Sequence, residues 1–134
     1  MGRTHDLFLQ GIEFARMGGM IDISTGGTKY CEPYESVLEG LNAGVSIDRM
    51  TFSSDGNAGV RRKDPITGED SYTVAPLHRN LEQVIRLIVD GGIAPSDAFR
   101  LITSNPARTM KLKGKGELRE GWDADITLFD DNWK

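Results

Sequence analysis

At 134 residues the chain has the length of one domain, so a second independent core is not expected. Its 38% hydrophobic and 27% charged residues exclude a disordered chain, and the net charge of −4 excludes a field that attracts nucleic acid or anionic membranes. A single cysteine, Cys31, excludes an internal disulfide. No stretch approaches the ~20 apolar residues of a membrane span, and the N-terminus lacks an apolar signal region, so the expected location is the cytoplasm.

The first residues place Phe8, Ile12 and Ala15 on one stripe. That spacing predicts a helix over 6–17, with Thr4 as its N-cap, Asp6 in its first turn and Gly18-Gly19 as its stop. Met20-Ile-Asp-Ile-Ser24 predicts a short strand. A second helix starts near Pro33, the favoured first helical position, buries Tyr34, Val37, Leu38 and Leu41, and ends at Gly44. Arg49-Met-Thr-Phe-Ser53 predicts the next strand. The two strands begin about 30 residues apart with a helix between them, the size of one βαβ unit, which implies parallel pairing.

A polar loop over roughly 56–74 follows, with Pro65 and Gly68 in a turn. Its Arg61-Arg62-Lys63 run, like Lys111, Lys113 and Lys115 further on, reads as solvated loop charge. Leu77, Leu81, Val84, Ile85 and Ile88 form the stripe of a third helix, stopped by Gly91-Gly92. A further helix covers about 95–103, and Asn105-Pro106 can cap and open a last helical segment through Met110. From Gly114 the texture changes, and the alternation in Asp125-Ile-Thr-Leu-Phe129 predicts short antiparallel strands. Two parallel strands under four helical segments do not close a sheet, and a barrel of eight βα units needs ~250 residues. The chain therefore reads as part of a larger α/β fold.

Asp55 stands just past the C-terminal end of the second strand, the end that faces the active site in barrels and open α/β sheets. A carboxylate there can bind a cation and exchange a proton with a metal-bound water. Asp55-Gly56-Asn57 also suits a plain turn, and position alone tilts toward that reading. Cys31 has no nearby histidine to activate it and reads as a buried or indifferent thiol.

The runs Leu7-Phe8, Ile12-Glu13-Phe14-Ala15-Arg16, Gly19 and Ile21-Asp22, and then Ser53-Ser54-Asp55-Gly56-Asn57, carry a more specific signal. So do Ser96-Asp97-Ala98, Thr103-Ser104, Leu112-Lys113-Gly114-Lys115-Gly116-Glu117 and Gly121-Trp122-Asp123-Ala124-Asp125. Together they resemble bacterial isoaspartyl (β-aspartyl) dipeptidases of the amidohydrolase superfamily, over nearly the whole chain. The last two motifs are shared across many amidohydrolases and bear on the superfamily more than on the substrate.

The resemblance implies an α/β fold in which residues 1–112 are the C-terminal part of a distorted TIM-like (β/α)8 barrel, its last two strands and their helices. Residues 113–134 would begin the C-terminal segment of a small β domain. It also implies two divalent metals, usually zinc, bridged by hydroxide and a modified lysine. The family's ligands are a His-x-His pair on the first strand, two later histidines, and an aspartate that ends the eighth strand. Asp55 matches that aspartate, which ligates one metal and carries the proton from the attacking hydroxide to the leaving amine.

Arg3 matches an arginine that binds the substrate's carboxylate, a task suited to a bidentate guanidinium; without the resemblance it would read as a solvated terminal residue. Gly59 falls where family members often carry a serine near the substrate. His5 and His78, the two histidines of the chain, match no family ligand. One aspartate cannot hold a catalytic zinc, which takes about three protein ligands, so the chain is expected to be inactive alone. The complete enzyme, an expected homo-oligomer acting on a small dipeptide, would hydrolyse β-aspartyl dipeptides with metal-bound hydroxide. The alternatives are a cyclic-amide amidohydrolase of dihydroorotase or hydantoinase kind, and a non-enzymatic α/β fragment.

Overall fold

Helix α1 (His5–Arg16) begins where its capping residue dictates. Thr4 is extended, and its hydroxyl oxygen accepts a hydrogen bond from Leu7 N at 3.3 Å. In this computed structural model residues 4–26, 30–131 and 133 are described. α1 buries Phe8, Gly11, Ile12 and Ala15, and the left-handed Gly18 (φ +99) follows its C-terminus. α2 (Pro33–Asn42) has Pro33 in its first turn and a capping box. In it the Glu35 carboxylate accepts from Glu32 N at 2.8 Å.

Strands β1 (Ile21–Ser24) and β2 (Met50–Ser53) pair in parallel, in register from Ile21 opposite Met50 to Ser24 opposite Ser53. Strand alternation then sorts the residues into two faces. Ile21, Ile23, Met50 and Phe52 join the core under the helices. Asp22, Ser24, Thr51 and Ser53 share the other face, where Thr51 Oγ1 donates to Asp22 Oδ1 at 2.7 Å and Ser53 Oγ donates to Asp22 Oδ2.

The polar segment read as a loop is a hairpin. β3 (Gly59–Lys63) and β4 (Asp70–Val74) run antiparallel, from Gly59 opposite Val74 to Lys63 opposite Asp70. Pro65 and Gly68 do lie in its turn. There the Asp64 carboxylate accepts from the backbone N–H groups of Ile66 and Thr67, each at 2.8 Å. Those bonds favour the ionised form and hold the Asp64 carboxyl below its ordinary range. Among the described side chains the ladder has no buried stripe to announce it, and an Arg61–Asp70 ion pair crosses it.

α3 (Arg79–Val89) buries Gln83, Val84 and Leu87. Leu77, expected on its buried stripe, precedes the helix and is exposed. Gln83 can be buried because both ends of its amide are used: Oε1 accepts from Tyr34 N and Nε2 donates to Glu32 Oε2, each at 3.0 Å. The helix expected over 95–103 divides into α4 (Pro95–Ala98) and a 3₁₀ segment (Phe99–Ile102).

α5 (Ser104–Thr109) has Thr103, not Asn105, at its N-cap position. Asn105 is instead fully buried. The strands expected within 125–129 do not form; the segment has no regular structure. Charge and aromatic packing fasten the tail: Phe129 packs on Phe99 with ring centroids 5.4 Å apart, and Lys115 Nζ lies 2.9 Å from Asp123 Oδ2 and 2.6 Å from Asp125 Oδ2. This joins the two sequence motifs around 114–117 and 121–125. Among the described residues no helix is long and apolar enough to cross a membrane.

Candidate functional site at the carboxyl ends of the parallel strands

Both parallel strands end on a serine, and the chain beyond them is tied down at once. Thr25, fully buried, donates its N–H to Ser53 O at 2.6 Å. Its hydroxyl donates to Asn80 Oδ1 at 2.6 Å, and its carbonyl accepts from Arg79 Nε at 3.2 Å. The start of α3 is thus fastened to the end of β1. Gly26 follows in close contact with the chain just past the other strand: a Cβ there would lie 2.6 Å from Ser54 O. No side chain fits without a backbone shift.

Asp55 sits two residues past β2 in the left-handed region, with φ +48, and Asn57 follows at φ +65. Asp and Asn tolerate that conformation better than other L-residues. Asp55 O accepts from Ala58 N at 2.9 Å, which closes a turn. The two readings of this run are therefore compatible: the backbone makes the turn, and the exposed carboxylate is left to interact elsewhere. Its Oδ2 accepts a hydrogen bond from Ser24 Oγ at 2.9 Å. Leu77 lies over this turn, its Cδ2 2.1 Å from where a Cβ on Gly56 would be.

The other expected site residues are placed less fully. Arg3 lies outside the described residues. Gly59 opens β3, exposed, with nothing within 4 Å of a Cβ built on it. His5 Nε2 meets Glu39 Oε1 at 2.6 Å, and His78 Nε2 lies 3.3 Å from Glu82 Oε1. Cys31 is half-buried, its Sγ 3.2 Å from Ser36 Oγ. Tyr30, which also meets Ser36 Oγ at 3.0 Å, is pushed up to about 12, first by burial.

Among the described residues no three His, Cys, Asp or Glu side chains converge as a metal site. Asp55 fits one position of such a set: an exposed carboxylate past a parallel strand, steadied on one oxygen by a hydroxyl. The remaining ligands would have to come from other residues. Ser24, Thr25 and Asn80 went unnoticed in the sequence, since only the strand register brings Ser24 to Asp55 and only the return of α3 brings Asn80 to Thr25.

A parallel βα unit with a carboxylate past the carboxyl ends of its strands has the arrangement of α/β sheets and barrels, whose sites lie at that end. The chain belongs to the amidohydrolase family, whose sequence model matches residues 16–134. Its fold matches part of a TIM-barrel amidohydrolase, as seen in the β-aspartyl dipeptidase of Fervidobacterium islandicum AW-1. Against that enzyme in complex with a β-Asp-Leu dipeptide the TM-score is 0.81 at 30% identity, over 97% of this chain and 34% of that one. A second structure of a β-aspartyl dipeptidase from F. islandicum AW-1 gives 0.77 at 28% identity, over 98% of this chain and 32% of that one.

Among curated relatives, the adenine deaminase of Methanothermobacter thermautotrophicus is 31% identical over 103 residues, 75% of this chain and 19% of that protein. The dihydroorotase of Endomicrobium trichonymphae is 43% identical over 51 residues, 37% of this chain and 12% of that protein. The chain thus spans about a third of the solved enzymes and a fifth or less of these curated relatives. Amidohydrolases are generally metal-dependent hydrolases that act on small molecules.

Proposed function

We propose that this segment supplies Asp55 as a metal-ligating and proton-carrying carboxylate to an enzyme that hydrolyses β-aspartyl dipeptides. One observation carries the reading: 97% of the chain is similar, at a TM-score of 0.81, to a dipeptidase seen with β-Asp-Leu bound. The position of Asp55 past the carboxyl end of β2 supports its part in it. Two divalent metals, with zinc the expected ion, would supply an acidified water. The leaving amine still needs a proton, and a carboxylate that takes one up can deliver it there.

In this reading Arg3 binds the substrate's free carboxylate through its guanidinium fork. Residues 1–112 belong to the barrel and residues 113–134 to the small domain. The complete enzyme is a cytoplasmic homo-oligomer, and the segment alone is inactive. A second reading, hydrolysis of a cyclic amide, draws its support from the likeness to a dihydroorotase.

The test uses the zinc-loaded enzyme that contains this segment, offered β-Asp-Leu, dihydroorotate and adenine in turn. Turnover of the dipeptide is expected, and Asp55→Asn should lower it by several orders of magnitude. Near-normal turnover by Asp55→Asn would leave Asp55 as a turn residue only. Turnover of dihydroorotate without turnover of the dipeptide would favour the second reading, and of adenine alone a deaminase.

A further inference from the structure

We infer that Ser24 is a positioning residue for Asp55, holding its carboxylate in the orientation that proton transfer requires; this rests on the reading of Asp55 as the proton carrier. The inference starts from how the polar face of the two strands divides its hydrogen bonds. That face carries three hydroxyls and a carboxylate: Ser24, Thr51, Ser53 and Asp22. Thr51 and Ser53 both donate to Asp22. Ser24 alone of the three turns past the strand end and donates to Asp55 Oδ2, at 2.9 Å.

Asp55 has need of such a partner. It has left the strand ladder, its backbone is in the left-handed region, and its side chain is exposed. A carboxylate so placed can rotate about both of its side-chain torsions unless something outside its own turn holds it. Among the described residues Ser24 is the one that hydrogen-bonds this carboxylate. The bond engages Oδ2 and leaves Oδ1 without a hydrogen bond among the described residues, so the two oxygens are already distinguished.

Ser24 is itself well fixed. It pairs with Ser53 in the parallel register, and the next residue, the buried Thr25, is bound to Ser53 O and to Asn80. A hydroxyl on so constrained a backbone can steady a carboxylate that its own turn does not. Ser24 touches no reacting atom in this scheme. It acts through Asp55.

The test compares Ser24→Ala, Ser24→Thr, Asp55→Asn and the double variant Ser24→Ala/Asp55→Asn in the zinc-loaded enzyme that contains this segment. The readouts are kcat and KM for β-Asp-Leu, bound metal per subunit and the thermal midpoint. Ser24→Ala should lower kcat by about tenfold or more, the kinetic weight of one hydrogen bond to a charged group. KM should stay within about twofold, with metal content and melting unchanged. Ser24→Thr, which keeps the hydroxyl, should recover most of the rate. In the Asp55→Asn background the Ser24→Ala change should have no further effect.

A Ser24→Ala enzyme with the parent kcat, while Asp55→Asn is inactive, would overturn the positioning role and leave the reading of Asp55 standing. So would a loss of rate that merely tracks a loss of metal, or one that adds in full to that of Asp55→Asn. Normal turnover by Asp55→Asn would overturn both.

Discussion

The side-chain amide of Asn105 donates to the backbone carbonyl of Met50, 2.9 Å away, where β2 begins. The same nitrogen donates to Ile47 O at 2.8 Å, and Asn105 Oδ1 accepts from Arg108 at 3.1 Å. A fully buried amide on α5 thus sets the entry into the strand that leads to Asp55. Asn105→Leu keeps the branched shape but removes the donor from Ile47 O and Met50 O and sets bulkier methyl groups in a buried site. We expect a loss of about 2–3 kcal/mol in stability, read as a lower midpoint in chemical denaturation of the enzyme that contains the segment.

Gly116 should tolerate no side chain. At φ +88 a Cβ would lie 2.8 Å from Ala107 Cβ, 2.9 Å from Thr103 O and 3.0 Å from Ser104 Cα. Two of those three atoms belong to backbone, so relief requires moving α5 or the tail. Gly116→Ala is expected to cost about 1–3 kcal/mol, and limited proteolysis should show earlier cleavage after Leu112. Gly121→Ala is the control for conformation alone, because its φ is +78 but nothing lies within 4 Å of its Cβ.

Tyr30 makes the fold sensitive to alkali. Its phenol is raised from 10.0 to about 12 in the folded chain, chiefly because burial disfavours the phenolate. An unfolded chain would lose that proton near its ordinary value while the folded chain still holds it. The contribution of Tyr30 is therefore complete below pH 10.0 and is lost as pH rises toward about 12. Thermal melts across that range should show the midpoint falling, and Tyr30→Phe should flatten the fall.

Gly59 offers a gain rather than a loss. Its φ is not in the left-handed region and a Cβ there meets nothing within 4 Å. Gly59→Ser should fold as the parent does, with an unchanged melt. If this position lies beside the substrate, as the sequence resemblance implies, kcat/KM for β-Asp-Leu should rise severalfold without a change in metal content.

How far the sequence revealed these features depended on whether a residue's burial left a local mark. Thr4, Pro33 and the stripe Phe8, Ile12, Ala15 announce their helices because capping and periodicity are local. The parallel pairing of β1 and β2 followed from one helix lying between two short apolar runs. The hairpin was missed because Arg61, Ser71 and Tyr72 bury no face, so its strands read as polar loop. On α3 the sequence offered Leu77 to the core, but burial of Gln83 depends on Glu32 and Tyr34, about fifty residues earlier. Asp55 stood out as a candidate through its motif, whereas its bond to Ser24 did not: 31 positions separate them, and register alone closes the gap.

The hairpin also has its two ends clasped together. Asn57 N bonds Ala75 O at 3.2 Å, and Ala75 N bonds Ala58 O at 3.0 Å, just before β3 begins and just after β4 ends. Asp55 lies on one side of that clasp, and α3, latched to Thr25 by Arg79 and Asn80, lies on the other. Everything from Gly59 to Val74 is in effect an appendage on a closed ring. Lengthening or trimming it changes the entropy of closure only slowly and leaves the bonds of the clasp in place. This stretch is accordingly where insertions, deletions and new side chains are best accepted without unfastening the turn that carries Asp55.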